Sequence, residues 1–304
     1  MIYLLQRLVQ GLLVMLGAAT IVFALTFISG DPATSLAPLD TTPEEFQQFR
    51  ERMGFDRPVP VQYIDFLSRT LHGDFGESYR QRQPAMGLVL ERFPNTLKVA
   101  TAAILFALLV SIPLGTLSAI YHDRWIDLLA RFVALMAQSV PGFLLGVVLI
   151  LVFAVELHWL PSSGSERPQS IVLPAVTIGA FSAGMLTRLL RSSLLEVLGQ
   201  DFIRTAYAKG LRDRAVLLGH ALKNAALPFT TILGVQVGFM LSAAVVVETI
   251  FAYPGMGRLA VEAIGSKDVP VIQAFVIVAA GVVVVVNLVV DLAYTRLDPR
   301  IRLS

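Results

Sequence analysis

Six apolar stretches, each long enough to cross a lipid bilayer, decide what kind of object this chain is. They run approximately from Leu8 to Ser29, Thr96 to Tyr121, Leu128 to Val155, Ile171 to Leu190, Ala225 to Ile250 and Val269 to Tyr294. A hydrocarbon core is about 30 Å thick and a helix rises about 1.5 Å per residue, so each stretch spans it. Lipid offers backbone groups no partners, which makes such spans helical. With 55% hydrophobic and 15% charged residues and a mean hydropathy of +0.70, the chain reads as an all-α integral membrane protein of six transmembrane helices. The first stretch is too long, and lacks a convincing small-residue cleavage site, to be a removed signal peptide. Pro113, Pro141 and Pro228, with Gly142, Gly146, Gly234 and Gly238, are tolerated in such helices and permit kinks or close crossings.

Between the fourth and fifth spans lies a polar, basic hinge, about residues 196–224. Asp201 is placed to cap a short helix running from Phe202 to Lys209, and Gly210 to end it in a left-handed conformation. Ala206 and Ala208 leave parts of its surface without bulk, while Phe202, Ile203 and Tyr207 offer apolar anchors. Such a helix suits a handle that another protein grips. Lysine and arginine placement sets the orientation. With the amino terminus inside, Arg7, Arg124, Arg131, the seven basic residues from Arg188 to Lys223, and Arg296, Arg300 and Arg302 face the cytoplasm, thirteen in all. The short outer loops keep Arg167, Arg258 and Lys267. Both termini and the hinge are then cytoplasmic, by the positive-inside rule.

Residues 1–30 are read as an amino-terminal transmembrane helix, 31–95 as an extracytoplasmic loop region, and 96–304 as a core of five transmembrane helices. The loop region is long enough to escape the positive-inside bias. Within it, Pro43 to Gly54 reads as a helix capped by Thr41 or Thr42, and Val61 to Leu71 as a second with Phe66, Leu67 and Thr70 near one face. It suits either the entrance of a path or a seal on the outer end of the bundle.

Catalytic signatures are missing from the sequence. It contains no G-x-x-x-x-G-K-[ST] loop to cradle nucleotide phosphates. His72, His122, His158 and His220 show no paired ligand spacing, and with no cysteine a thiolate metal cage is excluded. The expected role of His220 is a hydrogen bond that fixes the hinge against the start of the fifth span. Ser192 and Ser193 lack the G-x-S-x-G context of a nucleophile. A formal net charge of +2 needs only a membrane surface to explain it, and no nucleic acid. Glu248 and Asp291 lie near span ends, where structural anchoring is expected: Glu248 to the Phe251–Gly257 turn, Asp291 to Arg296 or a hinge arginine. Gln138 and Ser139 in the third span, and Gln236 and Ser242 in the fifth, suit a passage that lets a polar solute slide without tight binding.

The stretch Arg204-Thr-Ala-Tyr-Ala-Lys-Gly210, followed by His220-Ala-Leu-Lys-Asn224 and Pro228, resembles the EAA loop of bacterial ABC importer permeases, in the form used by B-type subunits of the dipeptide/oligopeptide/nickel group. Arg204 stands where the general motif has Glu. The order and spacing of Gly54-Phe-Asp-Arg-Pro58, Gly73-Asp-Phe-Gly76, Pro94-Asn-Thr-Leu97, Glu248-Thr-Ile-Phe251, Pro254-Gly-Met-Gly257 and Asp298-Pro-Arg300 extend the resemblance along nearly the whole chain.

The resemblance implies a type I importer permease fold and a non-catalytic subunit. A second homologous permease would complete the translocation path, two cytoplasmic ABC ATPase subunits would bind ATP and Mg, and an extracytoplasmic binding protein would deliver the solute. Residues Arg204, Thr205, Ala206, Tyr207, Ala208, Lys209 and Gly210 would then form the ATPase-coupling segment, with His220, Asn224 and Pro228 as its structural hinge. Short peptides are the implied substrate, with glutathione or nickel complexes as alternatives. A self-sufficient secondary transporter would call for inverted repeats and mid-membrane ionisable groups, and no clear internal repeat is present. The membrane expected is the bacterial cytoplasmic one.

Overall fold

The computed structural model describes residues 2–28, 42–53 and 56–297. Among these the chain is helical, with one isolated β-bridge between Glu77 and Pro84. Among the described residues five helices are long and apolar enough to cross a membrane: Val9–Thr26, Ala85–Ile120, Pro168–Leu198, Asp213–Ile250 and Val269–Val290. The expected third span is not one straight helix. It is a pair, Trp125–Ser139 and Gly142–Glu156, bent by 104°. Proline explains the break: Val140 sits at φ −83°, ψ 124°, outside the helical region that a residue before proline avoids. Pro141 also brings no N–H to carry the ladder across. Counting the pair as one crossing gives six.

The chain divides into two compact units. The first comprises residues 1–94 and 255–285. Its described helices are α1 (Ile2–Ile28), α2 (Pro43–Met53), α3 (Val59–Leu71), the start of α4 (Ala85–Ile120), α11 (Met256–Gly265) and most of α12 (Val269–Leu297). Thr42 caps α2 in a reciprocal box, taking the Glu45 N–H and giving its own N–H and hydroxyl to the Glu45 carboxylate. On α3, Phe66 is buried and Tyr63 meets the Thr20 hydroxyl of α1 at 2.6 Å. The Phe23 ring lies 5.5 Å from Phe66 and 5.2 Å from Tyr63. One face of α3 is therefore committed to α1. In the same unit Gly11 lets α12 approach, since a Cβ there would sit 2.6 Å from a Val284 methyl.

The second unit comprises residues 95–254 and 286–304. It holds the rest of α4, α5 (Trp125–Ser139), α6 (Gly142–Leu149) with its π-helical continuation Ile150–Glu156, α7 (Val172–Leu198), α8 (Asp201–Ala208), α9 (Asp213–Val216) with the π-helical turn Leu217–Ala221, and α10 (Leu222–Ile250). At its centre lies α7, buried on most of its length, because glycines let neighbouring backbones touch it. A Cβ on Gly179 would meet the Ala103 carbonyl oxygen at 2.7 Å, and one on Gly184 the Ala134 carbonyl oxygen at 2.5 Å. Small residues at helix contacts are the usual packing device where no hydrophobic force separates helix from lipid. The helix ends run past the expected limits: α4 starts at Ala85 and α7 continues to Leu198. Helices extend beyond the apolar stretch when their polar ends still have a packed neighbour, and hydropathy alone does not register that.

Candidate functional site

The basic hinge begins where α7 stops at Gly199, whose N–H bonds back to the carbonyls of Leu195 and Glu196. After Gln200 the chain turns into α8. Asp201 is the first helical residue and not the cap that the sequence suggested; Gln200 occupies the cap position without a side-chain bond. The Asp201 carboxylate instead meets Arg204 at 3.3 Å, while its carbonyl accepts from the Thr205 hydroxyl at 3.0 Å. Its charge still favours the helix start through the macrodipole. At the other end the Gly210 N–H bonds to the Tyr207 carbonyl and the Leu211 N–H to the Ala206 carbonyl. With Gly210 at φ +79° this is a Schellman closure, which a residue with a Cβ adopts only under strain.

The face that α8 turns inward differs from expectation. Ile203 and Ala206 are 1% and 7% exposed, seated in the same core as Leu194, Val197 and Val216. Three residues apart, they lie on one stripe of the helix. Ala206 therefore does not leave a bare patch for a partner; it lets α8 lie close on its own chain. Phe202, Arg204, Thr205, Tyr207, Ala208 and Lys209 are exposed.

The chain returns through α9 and the π-helical turn Leu217–Ala221 into α10. Val216, Ala221 and Ala225 hold this limb to the core. Among the described residues the His220 ring does not make the expected hydrogen bond; the His220 carbonyl instead accepts from the Asn224 amide at 2.7 Å. Its ring is exposed, because the wider π turn rotates residue 220 away from the packed side. Pro228 lies within α10 and is exposed.

The polar residues expected along a passage do not form one group. Gln236 is buried, its carbonyl oxygen accepting from the Ser182 hydroxyl at 2.9 Å and its amide facing the Met185 sulfur. It bolts α10 to α7, so its polar atoms do not face an open path. Gln138 donates to the Ala134 carbonyl, Ser139 to Leu135 and Ser242 to Gly238, each on its own helix. Glu248 is buried, and its backbone carbonyl accepts from the Tyr253 N–H at 2.8 Å, a bond that does not depend on the carboxylate. The side chains of Asp291 and Arg296 lie outside the described residues.

Two buried aspartates went unnoticed in the sequence. Asp127, in the first turn of α5, is fully buried. Its carboxylate takes a bidentate pair from Arg191 of α7 at 2.7 and 2.8 Å, the Ser118 hydroxyl of α4 at 2.5 Å and the Asp123 N–H at 3.1 Å. Arg131 adds a further ion pair at 3.4 Å. A lone acid at the edge of an apolar segment was the available signal, since such a charge needs a partner. His122, Asp123 and Asp127 bring ligand atoms within 4.8 Å of one another. With guanidinium groups already on Asp127, that trio does not fit a cation.

Asp268, in the other unit, accepts from the Ser78 hydroxyl at 2.5 Å and from the backbone of Tyr79 and Arg80. It pins the turn from Gly76 to Pro84 to the start of α12. Burial, with the Asp268 carboxylate adding to it, pushes the Tyr79 phenol up to about 12. The same unit has a cleft of about 260 Å³ lined by Arg80, Gln81, Arg92, Glu262 and Ser266 among others. Glu262 is already paired with Arg258 at 2.8 Å.

Residues 111–303 match the family described as binding-protein-dependent transport system inner membrane component, and residues 1–100 its amino-terminal domain. The glutathione transport system permease protein GsiC of Salmonella typhimurium is 37% identical over 99% of this chain and 98% of its own length. That of Escherichia coli is 36% identical over the same shares. Among solved structures, the inward-facing MetNI methionine ABC transporter covers 70% of this chain and 97% of its own at a TM-score of 0.59 and 17% identity. An amino acid ABC transporter with histidines gives a TM-score of 0.52 at 16% identity, covering 71% of this chain and 94% of its own. At those identities the structural likeness concerns the fold.

Proposed function

This chain belongs to the family of binding-protein-dependent transport system inner membrane components, and from that premise we propose that α8 is the element through which separate ATPases drive it. The chain is the permease component of an ABC importer with a multi-pass helical fold. In the proposed reading it works as a non-catalytic subunit. A second homologous permease completes the path, two cytoplasmic ABC ATPase subunits carry ATP and Mg, and an extracytoplasmic binding protein delivers the solute. Both termini lie on the cytoplasmic side of a bacterial inner membrane. The solute is a short peptide, with glutathione the first to test because relatives aligned over 99% of the chain are named for it.

One observation carries this reading. α8 is closed at its end by a Schellman turn and anchored from inside by Ile203 and Ala206, while Phe202, Arg204, Tyr207 and Lys209 stay exposed. A short helix closed at its end by its own backbone turn, with an amphipathic outer face, suits insertion into a groove on another protein. ATP-driven closure of the ATPases then biases the permease between two packings by differential contact with that face.

The test is stepwise reconstitution into liposomes: this chain alone, with its partner permease, then with ATPases and binding protein. Accumulation of labelled glutathione or dipeptide only in the complete mixture, and only with ATP, is the expected result. Accumulation by the chain alone on an ion gradient overturns it.

A further inference from the structure

We propose that Arg191 is a positioning residue for energy coupling: its bidentate contact with Asp127 pins α4, α5 and α7 in one register, so that they move with α8 as a single lever. The proposal rests on the coupling role of α8 and adds how a push on that helix spreads. It begins from the packing. α7 touches α4 through Gly179 against the Ala103 carbonyl and through the Thr187 carbonyl against Gly115, and it touches α5 through Gly184 against the Ala134 carbonyl. These are backbone-to-backbone contacts. They bring the helices close, with Leu190 packed beside Gly115 and Phe106 beside Gly179, but apolar contact has no direction of its own.

The Asp127 cluster supplies what the glycines lack. One carboxylate, fully buried, accepts from α7 through Arg191, from α4 through Ser118, and from the α4–α5 turn through the Asp123 N–H. Sliding α5 or α7 by a turn parts Arg191 from Asp127 and leaves the buried carboxylate only Arg131 of its own helix, and sliding α4 removes the Ser118 hydroxyl. Such losses at a buried charge are costly, whereas the intact pair contributes little net stability. A buried ion pair of this kind is best understood as a device for fixing register. Its planar fork also fixes rotation, which a lysine ammonium does not.

Position completes the argument. Arg191 lies on the last turns of α7, and only Gly199 and Gln200 separate that helix from α8. On the other side of α8 the chain enters the π-helical turn Leu217–Ala221, a local departure from regular helix that serves as the compliant joint. Force applied at α8 thus reaches α4 and α5 through the pin, while α10 adjusts at the π turn.

The experiment uses the complete complex of this chain with its partner permease, ATPases and binding protein. The chain has no cysteine, so spin labels attached to it at Asp201→Cys and Trp125→Cys before assembly with the other subunits report the distance between α8 and α5. The expected distance is the same within about 2 Å in the nucleotide-free and ATP-trapped states. In Arg191→Lys the distribution broadens, and solute moved per ATP hydrolysed falls about 5- to 10-fold with assembly unchanged. A purely structural role lowers abundance and both activities in proportion and leaves that ratio alone. A state-dependent shift of about 5 Å or more in the parent chain, or an unchanged ratio in Arg191→Lys, overturns the lever. Failure of the parent reading is separate: there the ATPases do not depend on α8 at all, as exchanges at Phe202 and Tyr207 reveal.

Discussion

A single methyl group decides how α8 sits. Ala206 is 7% exposed and faces the core with Ile203, so a tryptophan there has no room and forces the helix off its seat. Overpacking of this kind costs about 1–3 kcal/mol. Ala206→Trp is expected to reduce ATPase co-purification and to raise protease sensitivity in the hinge of the free chain. Tyr207→Ala, at 45% exposure, is expected to reduce co-purification while leaving hinge protection unchanged. Equal protease patterns for the two variants contradict the inward placement. A second residue-scale prediction concerns Tyr79. Its phenol titrates ordinarily near 10.0 and is pushed up to about 12 by burial and by Asp268. A raised pKa in the fold means the folded form holds its proton longer, so the stabilisation is complete below pH about 10 and is lost as pH rises towards 12. Burial and Glu248 raise the Tyr253 phenol as well, so phenolate absorbance should show a late-titrating component that shrinks, without vanishing, in Tyr79→Phe. The sequence made Gly210 legible, because only a local φ was at issue. It misassigned Ala206, because which stripe of a short helix faces inward depends on Leu194 and Val197 in the preceding helix.

Among elements, length and hydropathy revealed the spans but not how they are joined or bent. The break at Val140–Pro141 had its cause in the sequence, since proline disfavours a helical residue before it. Yet many membrane helices carry proline with only a kink, and the 104° bend depends on where α6 finds its neighbours. There Gly146 meets Thr177 of α7. Buried contacts such as Asp127 with Arg191 join residues 64 positions apart, and no short motif encodes that separation. Close helix contacts give the element-scale prediction. A Cβ on Gly184 would meet the Ala134 carbonyl oxygen at 2.5 Å, whereas one on Gly142 meets nothing within 4 Å. Gly184→Ala is expected to lower the thermal midpoint in detergent clearly, with a cost of about 1–3 kcal/mol. Gly142→Ala should be near neutral or slightly stabilising. Equal midpoints for the two variants would show that α5 and α7 are not packed backbone to backbone.

For the whole molecule, the family and its architecture were legible because charge asymmetry, span count and the motif order all act over the full length of the chain. Sidedness remains a prediction, and the structure changes how to test it. Ser78 is an attractive labelling position in the sequence but is 1% exposed and bonded to Asp268, so a cysteine there would react poorly whatever its side. Gln81 and Ser165 are exposed and lie on the side that the basic-residue count places outside. Asp213, exposed in the hinge, lies on the opposite side. With no native thiol, single cysteines at these positions give an unambiguous readout with a membrane-impermeant reagent on intact cells. Positions 81 and 165 should label without permeabilisation and position 213 only after it. Labelling of position 213 from outside would put α8 on the side away from ATP, and a helix there has no route to the ATPases. The coupling reading and the Arg191 lever would then fall together, whereas the opposite result leaves each to its own test.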